Sequence, residues 1–388
     1  MDIFVFIIVI VLGYSIQKSF SKSLSMFDKK NLKNLWLYHL LFGVIYWGYI
    51  VYGPGGDSFG YFKVSEELSF EEAFSLLRVN GAGTYGMYLL NVFPAKFMGF
   101  FGLTMVYTLI GYIGVMCFYL VFITNIRFNS TIGSIKLFPL IFFLPNLHFW
   151  SAGLGKDTVL FFCIALFVYG MQKPSKNLIK IVLALGLSYL IRPHITIFLI
   201  ASFGMGYVLD GNLKAYQKLL FGGAFLVAFF LLFDNIMSFL KIEELDVESI
   251  DQFSESRVSN LSREHTGSAV DINGYPFPLK VFTFLYRPLF FDINGVLAVV
   301  ASFENLLLLI LSWKFIRLNP LKMFKRGNYM VKSLFIFVLI GSVTFSIILG
   351  NLGIMLRQKN MFILALLFVC LWGLSFSTQQ KQQKLNVR

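Results

Sequence analysis

The sequence predicts an all-α fold, a polytopic transmembrane helix bundle, on three observations. Of its 388 residues, 57% are hydrophobic and only 14% charged, whereas an ordinary soluble domain is about a quarter charged. Apolar runs of roughly 17–25 residues, each able to cross about 30 Å of hydrocarbon as a helix, recur along the whole chain. The charged residues gather in the short connections between those runs. In a soluble domain a net charge of +13 would suggest nucleic acid as partner. Here the bases are dispersed among loops, so they report topology and no nucleic acid is expected.

Taken in order, the runs place about eleven crossings, near 2–16, 34–52, 102–124, 136–151, 155–172, 178–192, 194–210, 218–237, 293–313, 333–350 and 360–377. The first reads as a crossing rather than a secretory signal, because Asp2 stands where a basic region belongs and no small-residue cleavage site follows. The connections after the odd-numbered crossings hold 21 of the 33 basic residues, with only Asp28 and Asp210 as acids. By the positive-inside rule that side is cytoplasmic, which puts the N-terminus outside and the C-terminus inside.

Two apolar stretches do not fit as full crossings. Residues 66–100 read as an acidic external loop leading to an interfacial or re-entrant helix, interrupted by Pro94 and Gly99. A second such segment is expected at 277–290, where Pro276, Pro278 and Pro288 break an aromatic run. Residues 239–276 form the longest hydrophilic stretch, a large extracytoplasmic loop within a single transmembrane domain covering 1–388. Cys117, Cys163 and Cys370 lie inside apolar runs and read as small apolar residues.

An ionisable group at the membrane costs a few kcal/mol at midplane and is a functional hypothesis by default. Lys156, Arg192, Arg287, Arg357 and Lys359 fall in outer turns, where positive charge opposes the insertion rule. Any one of them could simply snorkel to headgroups. Together they suit a phosphate or diphosphate, with arginine supplying a fork and lysine a point charge. The turn from Gly153 to Asp157 is not a P-loop, lacking the first glycine at the right spacing and the hydroxyl after lysine. Asp157 either caps the next helix or pairs with Lys156 or a neighbouring arginine.

Asp57, after a Gly-Pro-Gly-Gly break, is the leading carboxylate: it either caps a helix or serves as general base on a sugar hydroxyl. Tyr61 would share its helix face. Glu66, Glu67, Glu71 and Glu72 read as a solvated face. Glu304 lies deep in a crossing beside Asn305 and needs a partner. His194 and His265 are external and open to acid–base work, His148 sits near an outer end, and His39 reads as a packed membrane histidine. Arg263 and His265 fit a gate over substrate or a plain polar loop equally. No metal-site spacing is present, though a divalent ion shared between Asp57 and phosphate oxygens is compatible with these residues.

This pattern resembles the bacterial polysaccharide polymerases, the Wzy and EpsG-like proteins, within the GT-C-type membrane glycosyltransferases. The likeness lies in Asp57 and Tyr61 after an early crossing and a Gly/Tyr-rich approach from Gly81 to Asn91. It continues in the Ser151 to Asp157 turn, the Arg192-Pro-His194 turn, a large late external loop and Arg357. The resemblance implies an enzyme of the bacterial cytoplasmic membrane that works beside other polysaccharide-assembly proteins. It would move a glycan from a polyprenyl (di)phosphate to an acceptor hydroxyl on the outer face. Lys156, Arg192, Arg287 and Arg357 would hold the departing phosphates and Asp57 would activate the acceptor, with His194 as substitute. No nucleotide is needed, since the lipid diphosphate is already a good leaving group. Two alternatives stay open: a GT-C transferase adding one sugar from a polyprenyl monophosphate, and a transporter or flippase of lipid-linked sugar. A carrier should line a midplane path with charge and show internal repeats.

Overall fold

A computed structural model of the chain describes residues 1–53, 55–210, 214–220, 222–223, 227, 268–272 and 274–386. Helices dominate the described residues. The chain divides into two compact units, residues 1–123 with 138–196, and residues 124–137 with 197–388.

The first unit opens with two long apolar helices, α1 (Asp2–Phe20) and α2 (Met26–Tyr52). Asp2 in the first turn of α1 and Lys18 in the last oppose the helix dipole. Ser25 caps α2 by accepting the Asp28 N–H at 3.1 Å. After the Gly53–Gly56 break come four short helices, α3 (Asp57–Glu67), α4 (Phe70–Asn80), α5 (Thr84–Asn91) and α6 (Pro94–Phe97). The stretch 66–100, expected as a loop before one helix, is thus mostly helical. Ser69 and Glu72 close a capping box that starts α4, a local signal sufficient to nucleate it. Glu66, Glu67, Glu71 and Glu72 are exposed, as expected.

The long helix α7 (Phe100–Asn125) follows, then the single turn α8 (Leu137–Leu140), α9 (Pro145–Ala152), α10 (Lys156–Met171) and α11 (Leu178–Ile191). Hydrogen bonds join α7 to its neighbours: Tyr112 Oη donates to Leu32 O at 2.8 Å and Thr108 Oγ1 to Ala152 O at 2.8 Å. A side chain at Gly111 would collide with the Ser151 carbonyl, so the glycine is what lets α7 and α9 touch.

The second unit contains the one small sheet among the described residues, β1 (Thr131–Ile132) paired antiparallel with β2 (Ile135–Lys136). Most of α12 (Pro193–Val208) belongs to it, followed by α13 (Phe277–Tyr286), α14 (Val296–Ile316), α15 (Pro320–Arg326), α16 (Tyr329–Ile348) and α17 (Leu352–Asn386). Phe284, Phe337, Phe345 and Phe362 pack as its aromatic centre, with Phe337 and Phe362 centroids 4.9 Å apart. The end of α12 is tied to the start of α16, where the Tyr329 N–H donates to Asp210 at 2.8 Å and Lys332 donates to Leu209 O at 2.9 Å.

Six helices among the described residues, α1, α2, α7, α14, α16 and α17, are long and apolar enough to cross a membrane. The chain is therefore a multi-pass, all-α membrane protein. A seventh span arises if α9 and α10, bent by 108° at the intervening glycines, count as one. The separate crossings expected near 136–151, 178–192 and 194–210 correspond to helices of 8, 14 and 16 residues. Composition cannot separate a full span from such pieces, because Pro139, Pro145, Gly153 and Pro193 interrupt the backbone without lowering hydropathy. The expected crossing at 218–237 and the loop at 239–276 lie largely outside the described residues.

Candidate functional site

In the first unit, the bend between α9 and α10 is a built feature. A side chain at Gly153 would strike the Tyr46 ring, so the turn seats directly on α2. Tyr46 in turn shares a 2.7 Å hydrogen bond with Ser58 at the start of α3. Thr158 Oγ1 donates back to Gly153 O at 2.5 Å, closing the turn. Lys156 and Asp157 then open α10.

Three other segments meet Lys156 and Asp157. The Lys156 ammonium donates to Thr84 Oγ1 at 2.9 Å and stands 5.6 Å from the Tyr61 ring centroid, within cation–π reach. Thr84 begins α5, and the Gly83 N–H donates to Leu190 O at 3.1 Å, which holds α5 to the end of α11. Gly86 allows that approach, since a side chain there would clash with the Leu190 carbonyl. Arg192, just past α11, reaches Asp157 with Nη2 to Oδ1 at 3.5 Å. Asp157 is buried and Arg192 half-buried, so this pair is only partly screened by solvent.

Asp57 is the first residue of α3 and is exposed; Gly56, not Asp57, occupies the capping position. One turn on, Tyr61 lies on the same helix face and carries that face to Lys156. His194 is half-buried in the first turn of α12.

The second unit gathers a different set. Arg287 grips Asp292 through two hydrogen bonds, Nε to Oδ2 at 3.0 Å and Nη2 to Oδ1 at 2.5 Å, and the Leu289 N–H adds a third at 2.9 Å. The Arg287 guanidinium is raised above its usual value chiefly by its hydrogen bond to Asp292. Burial pushes the Asp292 carboxyl up, but the Arg287 and Leu289 hydrogen bonds and the guanidinium charge outweigh it, leaving the carboxyl below its usual value. Lys359 is buried and donates to Asn305 Oδ1 at 2.5 Å and to Arg287 O at 3.3 Å; Asn305 donates to Pro288 O at 2.7 Å. Glu304 is buried on α14, which packs against α17.

No family model, curated protein or solved structure matches this chain.

The structure therefore brings Tyr61, Lys156, Asp157 and Arg192 together in one unit, and Arg287, Glu304 and Lys359 gather in the other. Two expectations are corrected. Arg357 and Lys359 sit in the second turn of α17, not in an outer turn, because the helix begins at Leu352, earlier than hydropathy alone suggested. Lys359 is buried there. Arg263 and His265 lie outside the described residues. Thr84 and Asp292 were missed: each is an ordinary polar residue whose role appears only when a distant turn arrives beside it. The pairing of His39 with His148, Nδ1 to Nδ1 at 2.7 Å in the buried core between α2 and α9, was likewise missed. Among the described residues no three His, Cys, Asp or Glu side chains gather as a metal-binding group.

Proposed function

We propose that this protein is a membrane glycosyltransferase of the polymerase kind, moving glycans from a polyprenyl (di)phosphate donor to an acceptor sugar hydroxyl. In this reading it works on the outer face of the bacterial cytoplasmic membrane in surface polysaccharide synthesis, with about eleven crossings, N-terminus outside and C-terminus inside. The observation that carries it is that two separate turns deliver cations to the start of α10: Lys156 against Thr84 and Tyr61, and Arg192 against the adjacent Asp157. Two cations suit an anionic leaving group. The resemblance to the Wzy and EpsG-like polymerases supports the same assignment.

The chemistry divides as follows. The Asp57 carboxylate takes the proton from the acceptor hydroxyl as its oxygen bonds to the donor's anomeric carbon. The bond from that carbon to the phosphate oxygen breaks, and the (di)phosphate leaves with the electron pair, its new charge stabilised by Lys156 and Arg192. Asp157 holds Arg192 in place. Tyr61 shapes the floor beneath Lys156. Arg287, whose fork is occupied by Asp292, is assigned a structural role.

A second reading, transport of lipid-linked sugar, is favoured by one observation: Lys359 and Glu304 are buried charges within membrane-spanning helices. Membranes containing the protein, given a polyprenyl diphosphate-linked oligosaccharide, distinguish the readings. Glycosyl transfer requires lengthened glycans from wild type and a loss on the order of 10²–10⁴-fold in Asp57→Asn. Glycan length unchanged in Asp57→Asn, with movement of labelled lipid-linked sugar lost in Lys359→Met, would assign transport instead. A single added sugar would indicate the monophosphate-dependent transferase.

A further inference from the structure

Helix α17 is longer than a membrane is thick. Its 35 residues extend about 52 Å at 1.5 Å per residue, against roughly 30 Å of hydrocarbon and 40–45 Å with headgroups included. Trp372 and Phe376 stack at 5.1 Å about 30 Å from the helix start, the level at which interfacial aromatic residues gather. The turns after them therefore enter the headgroup layer and pass beyond it.

The short helix α15 reaches the same level, since Met323 packs beside Gly373. Asn319 caps α15 by accepting the Lys322 N–H at 3.2 Å. Between α15 and the end of α17 is a cavity of about 1050 Å³ lined by Lys322, Arg326, Lys381 and Lys384 together with Gln380 and Gln383. No acid lines it. The three ion pairs among the described residues, Lys63–Glu66, Arg192–Asp157 and Arg287–Asp292, leave all four cations uncompensated. Insertion rules account for the sign of these charges at a cytoplasmic end. They do not account for four cations confined around one concavity at headgroup depth, where like charges repel unless an anion enters.

We propose that this cavity binds the headgroup of an anionic phospholipid, its phosphates held by Lys322, Arg326, Lys381 and Lys384 and its remaining oxygens by the glutamine amides. Four cations match a headgroup with two phosphates better than one. The exposed Leu385, which also lines the cavity, gives the acyl chains an apolar edge, which a free phosphate would not use. The proposal is independent of the catalytic reading above.

The test is native mass spectrometry of the full chain in detergent with added cardiolipin or phosphatidylcholine. The comparison variants are K322Q/R326Q/K381Q/K384Q and the charge-preserving K322R/K381R/K384R. Wild type and the arginine variant are expected to retain one more cardiolipin than the glutamine variant, with its affinity at this site about tenfold or more higher. Phosphatidylcholine should be retained by none. Equal cardiolipin stoichiometry in wild type and the glutamine variant would overturn the site. Displacement of the lipid by inorganic phosphate at equal concentration would overturn the choice of a lipid as its occupant. The substituted positions are exposed or half-buried at the helix ends, so size-exclusion profiles should be unchanged across the series.

Discussion

Arg192 meets Asp157 at 3.5 Å although 35 residues separate them, because the end of α11 folds back onto the first turn of α10. The pair fixes the position of one of the two cations assigned to the leaving group. Asp157→Asn removes the charge but keeps the shape, leaving the guanidinium half-buried without its carboxylate. The expected cost is about 1–3 kcal/mol, measured as a lower unfolding midpoint of the detergent-solubilised protein. In the transfer assay Asp157→Asn should raise KM for the lipid-linked donor more than it lowers kcat. Arg192→Gln should lower kcat, because that cation acts on charge that develops only as the bond breaks. Equal effects of both on KM alone would deny Arg192 that part.

The spans were legible in the sequence where an apolar run was long and unbroken, as in α1, α2, α7, α14, α16 and α17. They were not legible where proline or glycine divided a run, because hydropathy does not register a missing backbone hydrogen bond or a sharp bend. The candidate site was legible in part for the same kind of reason. Lys156, Asp157 and Arg192 stood out because charge in a short apolar connection is costly. Thr84 gave no such signal: a hydroxyl in a Gly-Ala-Gly-Thr turn is unremarkable until Lys156 is placed over it. Lys359 was visible as an unusual cation, but its burial against Asn305 depends on where α17 begins, and that start is set by local capping around Asn351, whose side chain accepts the Gly353 N–H at 2.9 Å.

His39 and His148 form a buried hydrogen bond between α2 and α9, and His148 Nε2 lies 2.6 Å from Phe142 O. That carbonyl requires a donor, so His148 carries its proton on Nε2 and accepts at Nδ1 from His39. Replacing His39 alone by leucine leaves the His148 acceptor buried and unsatisfied, at a cost of about 1–3 kcal/mol. Replacing both should cost less than the sum of the singles, with a coupling of roughly 0.5–3 kcal/mol in a double-mutant cycle. Denaturant unfolding of the four proteins in one detergent measures it. Additive losses would mean that the two rings do not share this bond.

Asp292 sets a pH dependence whose sign follows from its depressed carboxyl. A group held below its unfolded value, roughly 3.9 for aspartate, contributes stability above that value and loses it as pH falls through the folded one. The difference in unfolding midpoint between wild type and Asp292→Asn should therefore be constant from about pH 8 to pH 5, and shrink below about pH 4. A difference that stays constant to pH 2.5 would remove the Arg287–Asp292 pair as its source.

The sidedness of the first unit is open to direct labelling, because Cys117, Cys163 and Cys370 are buried and leave a low background. Lys30, near the start of α2, and Glu67, at the end of α3, are both exposed. The 23 residues from Lys30 to Tyr52 carry the helix about 33 Å, enough to cross the hydrocarbon once. A cysteine at Glu67 should react with a membrane-impermeant maleimide in intact cells, whereas one at Lys30 should react only after lysis. If both react from outside, α2 does not cross. Reaction at Lys30 alone would place α3 and its Asp57 in the cytoplasm. Only the second result removes Lys156 and Arg192 from the face where a polyprenyl-linked glycan would await transfer.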